Sequence, residues 1–83
     1  MTSSVFSKRY EIFRLLLVSA RKDSGVTQQV LAEQLNKPQS FVSKYESGER
    51  RLDLIEFLDV AAALQFDACQ FIKKLEGKSK GEQ

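Results

Sequence analysis

Four glycines and a single proline interrupt the chain, and their spacing constrains the fold more than any other feature. They stand at Gly25, Pro38, Gly48, Gly77 and Gly81. Between these breaks the apolar residues recur every three or four positions and do not alternate, a period that indicates amphipathic helices and not strands. We therefore predict an all-α fold, a compact domain of five helices.

The first and third helices are bounded by these breaks. The first is predicted from about residue 5 to residue 23, because Gly25 follows its last apolar position. The third is predicted over Gln39–Ser47. Pro38 suits its first turn, where a missing N–H costs nothing, and Gly48 suits the left-handed position just after its end.

The second, fourth and fifth helices begin with a different signal. Each follows a polar residue that is flanked by the two apolar residues of a hydrophobic staple. These polar residues are Thr27, Asp53 and Asp67. Glu56 and Gln70 stand three residues after the last two, where a side chain can complete a capping box.

The composition limits the protein to one domain and excludes several kinds of site. A chain of 83 residues with 42% hydrophobic content supports one core, so we predict a single domain over residues 1–76. Residues 77–83 contain no apolar side chain and are predicted to form a disordered tail. The single cysteine, Cys69, excludes an intramolecular disulfide and a multi-cysteine metal site. With no histidine, the chain offers no catalytic constellation, so we expect neither an enzyme nor a cofactor.

The partners are not decided by composition. No apolar run approaches the roughly eighteen residues of a membrane span, so we expect a cytoplasmic, nucleoid-associated protein without a membrane partner. The formal net charge of +2 is too small to imply nucleic acid. No pocket for a small-molecule ligand is evident either. The placement of the charges therefore matters more than their sum.

The segment from Gln28 to Glu46 carries the functional signal, because it holds two short helices joined by only three or four residues. Ala32 is small where the third helix must approach the second, and Leu35 and Val42 can pack across the joint. Asn36 stands where a left-handed backbone is needed, which asparagine tolerates well. This pattern is typical of a tight helix-turn-helix.

The third helix has two distinct faces when its residues are placed about 100° apart. Phe41, Val42 and Tyr45 lie on one side and are predicted to enter the core. The other side carries Gln39, Ser40, Ser43, Lys44 and Ser47. Glutamine can pair with adenine in the major groove, and serine or lysine can reach base edges or phosphates.

This region resembles the lambda-repressor-like, or Xre-type, helix-turn-helix family of prokaryotic and phage regulators over roughly residues 10–64. The resemblance rests on Thr27-Gln28, Leu31-Ala32, Gln39-Ser40, Val42-Ser43, Glu46-x-Gly48 and Arg51-Leu52. It implies that double-stranded DNA is the partner. The base-contacting residues implied are Gln39, Ser40, Ser43 and Lys44. The phosphate-contacting residues implied are Thr27, Gln28, Lys37, Ser47, Arg50 and Arg51.

Two further expectations follow from the resemblance. Arg21, late in the first helix, is expected to form an ion pair with Glu46. The sequence departs from the family pattern at Asn36, in place of a common turn glycine, and at Lys37, where an apolar residue is frequent. The stem of Lys37 can pack while its ammonium group reaches solvent or a phosphate.

A single module of this kind contacts few base pairs, so we expect a homodimer on an inverted repeat with half-sites about 34 Å apart. Repression is the expected outcome, with activation left open. The predicted dimer surface is an apolar stripe of the fifth helix, aided by the first. It consists of Phe66, Cys69, Phe71, Ile72, Leu75, Leu15 and Val18. Cys69 is expected to be buried as a small hydrophobic residue.

Three other functions remain to be weighed. A protein-interaction module, such as an antitoxin-like or regulatory adaptor, could keep the fold and bind a partner through the fifth helix. A nonspecific nucleoid protein would bind DNA with little dependence on sequence and with a steep dependence on salt. An enzyme is disfavoured because the chain has no catalytic constellation.

Overall fold

The computed structural model describes residues 7–79 and contains five helices. They are α1 (Lys8–Asp23), α2 (Gln28–Leu35), α3 (Gln39–Ser47), α4 (Leu54–Leu64) and α5 (Ala68–Ser79). No strand occurs in this part of the chain. The predicted all-α fold of five helices, with a short turn between α2 and α3, is therefore confirmed.

The helix starts follow the predicted caps, with one difference. Thr27, Asp53 and Asp67 each accept the backbone N–H of the third residue after them, at 3.1, 2.7 and 3.1 Å. Glu56 also accepts the backbone N–H of Asp53 at 3.0 Å and completes the capping box. α1 begins at Lys8, because Ser7 is extended and its hydroxyl accepts the N–H of Tyr10. The predicted start at residue 5 is thus too early, and residues 5 and 6 lie outside the described residues.

The turn between α2 and α3 has the geometry that its sequence predicts. Asn36 has φ 58° and ψ 41°, in the left-handed region, and its N–H returns to the carbonyl of Glu33. The N–H of Lys37 returns to the carbonyl of Ala32, which completes a Schellman motif. α3 spans Gln39–Ser47 as predicted, Pro38 is its N-cap, and Gly48 has φ 90° after the helix. The turn is therefore closed by backbone hydrogen bonds.

The core is formed by residues from all five helices. Its fully buried side chains include Leu17 from α1, Leu31 from α2, Val42 and Tyr45 from α3 and Val60 from α4. These contacts hold α3 against α1 and α2, with one side inside the protein. The position of α3 is therefore set by packing and not by the turn alone.

The fifth helix closes this core, which corrects part of the predicted dimer surface. Phe71 is only 8% exposed, and its ring lies 5.1 Å from those of Phe57 and Phe66. Phe13 of α1 contacts the same cluster, with its ring centroid 5.8 Å from that of Phe71. Phe71 is therefore consumed by the protein's own core, and Phe66 stacks against it. A core this small requires these aromatic rings to exclude water from α1 and α4.

Two further predictions about α5 are wrong. Cys69 is exposed and not buried, because it precedes Phe71 by two residues and therefore lies on nearly the opposite side of the helix. The helix also continues through Gly77 to Ser79, past its predicted end at residue 76, because the backbone hydrogen bonds of a last turn need no apolar side chain. Residues 80–83 of the predicted tail lie outside the described residues. No helix within residues 7–79 is long and apolar enough to cross a bilayer.

Candidate nucleic-acid interface

α3 presents a polar face to solvent and buries the other. Phe41, Val42, Tyr45 and Glu46 are buried. The outward positions are all exposed, and they are Gln39, Ser40, Ser43, Lys44 and Ser47. The outward face carries a cation, amide and hydroxyl groups and no carboxylate, since the one acidic residue of α3 is turned inward. This is the arrangement needed for contact with base edges and phosphates.

The inward carboxylate of Glu46 is neutralised by Arg21. Arg21 Nε lies 2.7 Å from Glu46 Oε2, and Arg21 Nη2 donates to Glu46 Oε1 at 3.1 Å. The side chains are 12% and 6% exposed, so the pair is shielded from water. Its hydrogen bond to Glu46 raises the pKa of Arg21. A shielded bidentate ion pair thereby joins α1 to the last turn of α3.

A chain of amide hydrogen bonds runs from this ion pair to the surface of α3. Gln28 Nε2 donates to Glu46 Oε1 at 2.9 Å. Gln39 Nε2 in turn donates to Gln28 Oε1 at 3.3 Å. Gln28, which the resemblance assigned to a phosphate, is thus bonded within the protein and orients the first residue of α3. Thr27 is exposed beside it at the start of α2.

Arg14 is a second arginine of α1 that holds α3, and the sequence reasoning missed it. Its Nη1 donates to the backbone carbonyl of Glu46 at 2.7 Å. The signal was available, because Arg14 and Arg21 stand seven residues apart and therefore lie on one side of α1. Gly48 fits against the same side chain, since a Cβ at this position would lie 3.3 Å from Arg14 Nε.

The basic residues Lys37 and Arg50, which precede and follow α3, are held by internal contacts. Arg50 donates to Glu56 Oε1 and Oε2 at 3.0 and 2.8 Å, and its guanidinium lies 4.8 Å from the ring centre of Phe41. These hydrogen bonds raise the pKa of Arg50 and lower that of Glu56 to about 2. Lys37 Nζ lies 5.2 Å from the same ring. Much of the positive charge of Arg50 is therefore already neutralised by Glu56 within the protein.

Two other residues assigned to phosphate contact lie on either side of Arg50. The guanidinium of Arg51 lies 4.3 Å from the ring centre of Tyr10. The hydroxyl of Ser47 donates to the carbonyl of Lys44 at 3.1 Å and lies 3.4 Å from a carboxylate oxygen of Glu49. Both Ser47 and Arg51 are exposed at the end of α3.

Comparison with known proteins agrees with this geometry. A family model described as helix-turn-helix matches residues 17–71. The solved structure of an XRE-family like protein from Pseudomonas syringae pv. tomato is 46% identical, covers 86% of this chain and 87% of its own, and has a TM-score of 0.82. The chain belongs to the Xre family of helix-turn-helix proteins. Comparison with curated proteins finds no match.

Other solved structures share the Xre fold at lower identity. The clp gene regulator ClgR from C. glutamicum is 25% identical over 86% of this chain and 91% of its own, with a TM-score of 0.75. The restriction-modification controller protein C.Esp1396I is 19% identical over 93% of this chain and 100% of its own, with a TM-score of 0.82. At that identity the controller protein shows the likeness of fold alone.

The apolar surface of this Xre-family domain is distributed differently from the prediction. Of the predicted dimer residues, Leu15 and Ile72 are exposed, whereas Val18 and Leu75 are partly buried. The most exposed large apolar residues lie on α4 and were missed. They are Leu54 and Ile55, with Leu58 nearby. A signal existed, because α4 is apolar on nearly all sides, and such a helix cannot bury every side chain in a small domain.

Proposed function

We propose that this protein is a sequence-specific, DNA-binding transcription regulator that acts as a homodimer, with α3 of each protomer in the major groove of an inverted repeat. The observation that carries this proposal is the outward face of α3. Gln39, Ser43 and Lys44 are exposed on a helix whose other side is anchored in the core. A rigidly mounted helix of this kind fits the major groove.

The electrostatics of α3 support DNA as the partner. A carboxylate on the outward face would repel phosphates, and Glu46 is instead buried against Arg21. Lys44 is exposed and projects its charge from the last turn of the helix. Although the protein carries a formal charge of only +2, the five outward positions of α3 carry one positive charge, that of Lys44, and the carboxylate of Glu49 lies at their edge, 3.4 Å from the Ser47 hydroxyl.

The amide chain gives Gln39 a specific part in base reading. Its Nε2 is held by Gln28, so its Oε1 is left for a donor on the DNA. Adenine offers a donor at N6 and an acceptor at N7 in the major groove. We propose that Gln39 reads an adenine, that Ser40, Ser43 and Lys44 contact neighbouring bases, and that Thr27, Gln28, Lys37, Ser47, Arg50 and Arg51 line the phosphate backbone.

The regulatory outcome follows from where the dimer binds. A dimer that covers a promoter would compete with polymerase, so repression is the effect we propose. The family and fold are those of DNA-binding regulators and not of enzymes.

The test is selection of binding sites from random duplex DNA, followed by titration of the selected site with the purified protein. We expect an inverted repeat with half-sites about 34 Å apart. Lys44→Glu should weaken binding about 5- to 150-fold, since one good base contact contributes about 1–3 kcal/mol. Lys73→Glu makes the same charge change on exposed α5 and serves as the matched control.

Arg50→Glu is a poorer probe, because it would also break the ion pair with Glu56. Three results would count against the proposal: no enriched sequence, equal affinity for random DNA, or equal losses for Lys44→Glu and Lys73→Glu. An adaptor that binds another protein would leave no enriched site.

A further inference from the structure

The two ion pairs that flank α3 use different edges of their guanidinium groups. Arg21 turns its Nε and Nη2 toward Glu46, and this edge is shielded from water. Arg50 meets Glu56 with its tip, since Nη1 and Nη2 donate to the two carboxylate oxygens at 3.0 and 2.8 Å. The second N–H of Nη1 donates to the carbonyl of Arg51 at 3.0 Å. The pair of Arg50 therefore leaves its Nε edge unused.

The donors on the Nε edge of Arg50 suit a phosphate. Within residues 7–79, the Nε–H and the second N–H of Nη2 have no acceptor. These two N–H groups are parallel and match two oxygens of one phosphate, which is the bidentate geometry that arginine uses for phosphates. The side chain of Arg50 is 40% exposed. A phosphate can therefore bind this edge without displacing Glu56.

Arg50 is fixed to α3 as well as to α4. Its backbone N–H donates to the carbonyl of Lys44 at 3.2 Å. Its guanidinium lies 4.8 Å from the centre of the Phe41 ring, on the buried side of α3. Glu56 is itself fixed, because its Oε1 also accepts the backbone N–H of Asp53 in the capping box. The Nε edge is thus held at a set position relative to the outward residue Lys44.

We infer that Glu56 is a positioning residue for DNA binding, which holds the Nε edge of Arg50 toward a phosphate of the DNA backbone. The inference rests on the proposed function, because it takes duplex DNA as the source of the phosphate. Arginine has many rotamers, and ordering such a side chain at the moment of binding weakens affinity. Glu56 supplies that ordering in the free protein.

The charge of Glu56 by itself would have the opposite effect, since a carboxylate repels a phosphate. Here the carboxylate and the phosphate would occupy different edges of one guanidinium, with its delocalised positive charge between them. The side chains of Arg50 and Glu56 are 40% and 19% exposed, so water and salt weaken the repulsion. The ordering of Arg50 is not screened in this way, because it arises from hydrogen-bond geometry. Ordering therefore outweighs repulsion at this position.

The experiment is titration of a labelled duplex with the wild-type protein and with Glu56→Gln. Glutamine keeps the Oε1 acceptor for Asp53 and Arg50, but its amide group cannot accept from Nη2. We expect Glu56→Gln to weaken binding about 2- to 12-fold, which is the cost of ordering one long side chain. Asp59→Asn makes the same charge change at an exposed position one turn further along α4, and this matched control should bind at least as tightly as wild type. Equal binding by the two variants would overturn the inference.

A double-mutant cycle separates positioning from a role in the stability of α4. Arg50→Lys keeps the positive charge and removes the bidentate edge. If Glu56 acts through Arg50, adding Glu56→Gln to Arg50→Lys should change the affinity by less than about twofold. A full, independent loss in the double variant would overturn the inference, because the effect would then come from the capping of α4.

A measurement on the wild-type protein does not depend on whether the variants fold. In NMR spectra, the Nε–H resonance of Arg50 should shift when the duplex is added to saturation. The Nε–H of Arg21, which already donates to Glu46 in a shielded pair, is the internal control and should stay in place. An unshifted Arg50 resonance would overturn the inference.

The same titrations separate this inference from the proposed function. A phosphate contact needs no particular base, so a protein that selects no DNA sequence is titrated with random duplex at low salt. Coupled losses for Glu56→Gln and Arg50→Lys on that duplex would sink the proposed function and leave the positioning role standing. Sequence-specific binding that Glu56→Gln does not weaken would overturn the positioning role and leave the DNA-reading helix standing. The absence of binding to any duplex would overturn both.

Discussion

Replacing Arg21 with methionine tests whether the buried ion pair holds α3 in place. Arg21 makes two hydrogen bonds to the carboxylate of Glu46 and a third to the carbonyl of Val26 at 2.9 Å. Methionine retains much of the volume of arginine and removes all three. Within residues 7–79, Gln28 would then be the one side chain left donating a hydrogen bond to a carboxylate that is 6% exposed.

The magnitude follows from this burial. Removing one partner of a buried ion pair costs about 3–5 kcal/mol, because the other charge is left without compensation. A domain of this size has about 5–15 kcal/mol of total stability. Arg21→Met should therefore remove a large part of the free energy of unfolding. It should lower Tm by roughly 12–40 °C, at about 4–8 °C per kcal/mol.

The assay is urea unfolding followed by far-UV circular dichroism, since the chain contains no tryptophan to report by fluorescence. All variants are compared at one protein concentration, because the proposed dimer would also contribute to stability. Arg21→Met/Glu46→Met is the matched variant. It removes both charges and should restore stability to within about 1 kcal/mol of wild type.

Two results would refute this reasoning. Arg21→Met could cost less than about 1 kcal/mol, which is the value of an exposed pair. The double variant could be as unstable as Arg21→Met, which would show that the lost packing of arginine, and not the uncompensated carboxylate, caused the effect.

Three further predictions concern single side chains. The hydroxyl of Tyr45 is buried, which raises its pKa, and it has no hydrogen-bond partner among residues 7–79. Tyr45→Phe should therefore leave the free energy of unfolding unchanged or raise it by up to about 1–3 kcal/mol, and a clear loss of stability would contradict this. Gly48→Ala should destabilise the protein by about 1–2 kcal/mol, because φ is 90° at this position and the new methyl group would meet Arg14. The control Gly77→Ala, in open space on α5, should be neutral or stabilising in the same urea titration. The pKa of Glu56 is lowered from 4.5 to about 2 in the fold, so the stability that this carboxylate supplies is complete above pH 4.5 and is lost as pH falls toward 2. Glu56→Gln should therefore flatten the dependence of the unfolding midpoint on pH across that interval, and an unchanged slope would argue against the ion pair with Arg50.

The sequence predicted the local structure well, because local signals are written in neighbouring residues. A cap such as Thr27 or Asp53 needs only the backbone N–H three residues later, and both caps form as predicted. Asn36 adopts the left-handed conformation that its side chain tolerates. The start of α1 and the end of α5 were predicted less accurately. Apolar periodicity shows which side of a helix is buried but does not show where its last hydrogen bond forms.

The candidate site was only partly accessible to the same reasoning. The outward face of α3 follows from the period of a single helix, and its residues are exposed as the wheel predicts. The partner of Arg50 does not follow in this way. Whether Arg50 meets Glu56 or a phosphate depends on how the loop after α3 folds back on α4, and that path is set by packing at a distance.

What the sequence determined by itself is therefore the set of helices, their caps, the turn at Asn36 and the polarity of α3, all of which arise from contacts a few residues apart. The tertiary structure decided which apolar side chains enter the core and which stay on the surface. Phe71 was predicted to meet a second protomer but completes the core, whereas Leu54 and Ile55 remain outside it. Periodicity assigns each helix an apolar side but cannot assign that side a neighbour. The choice depends on which combination of helices encloses the most apolar surface at native packing density.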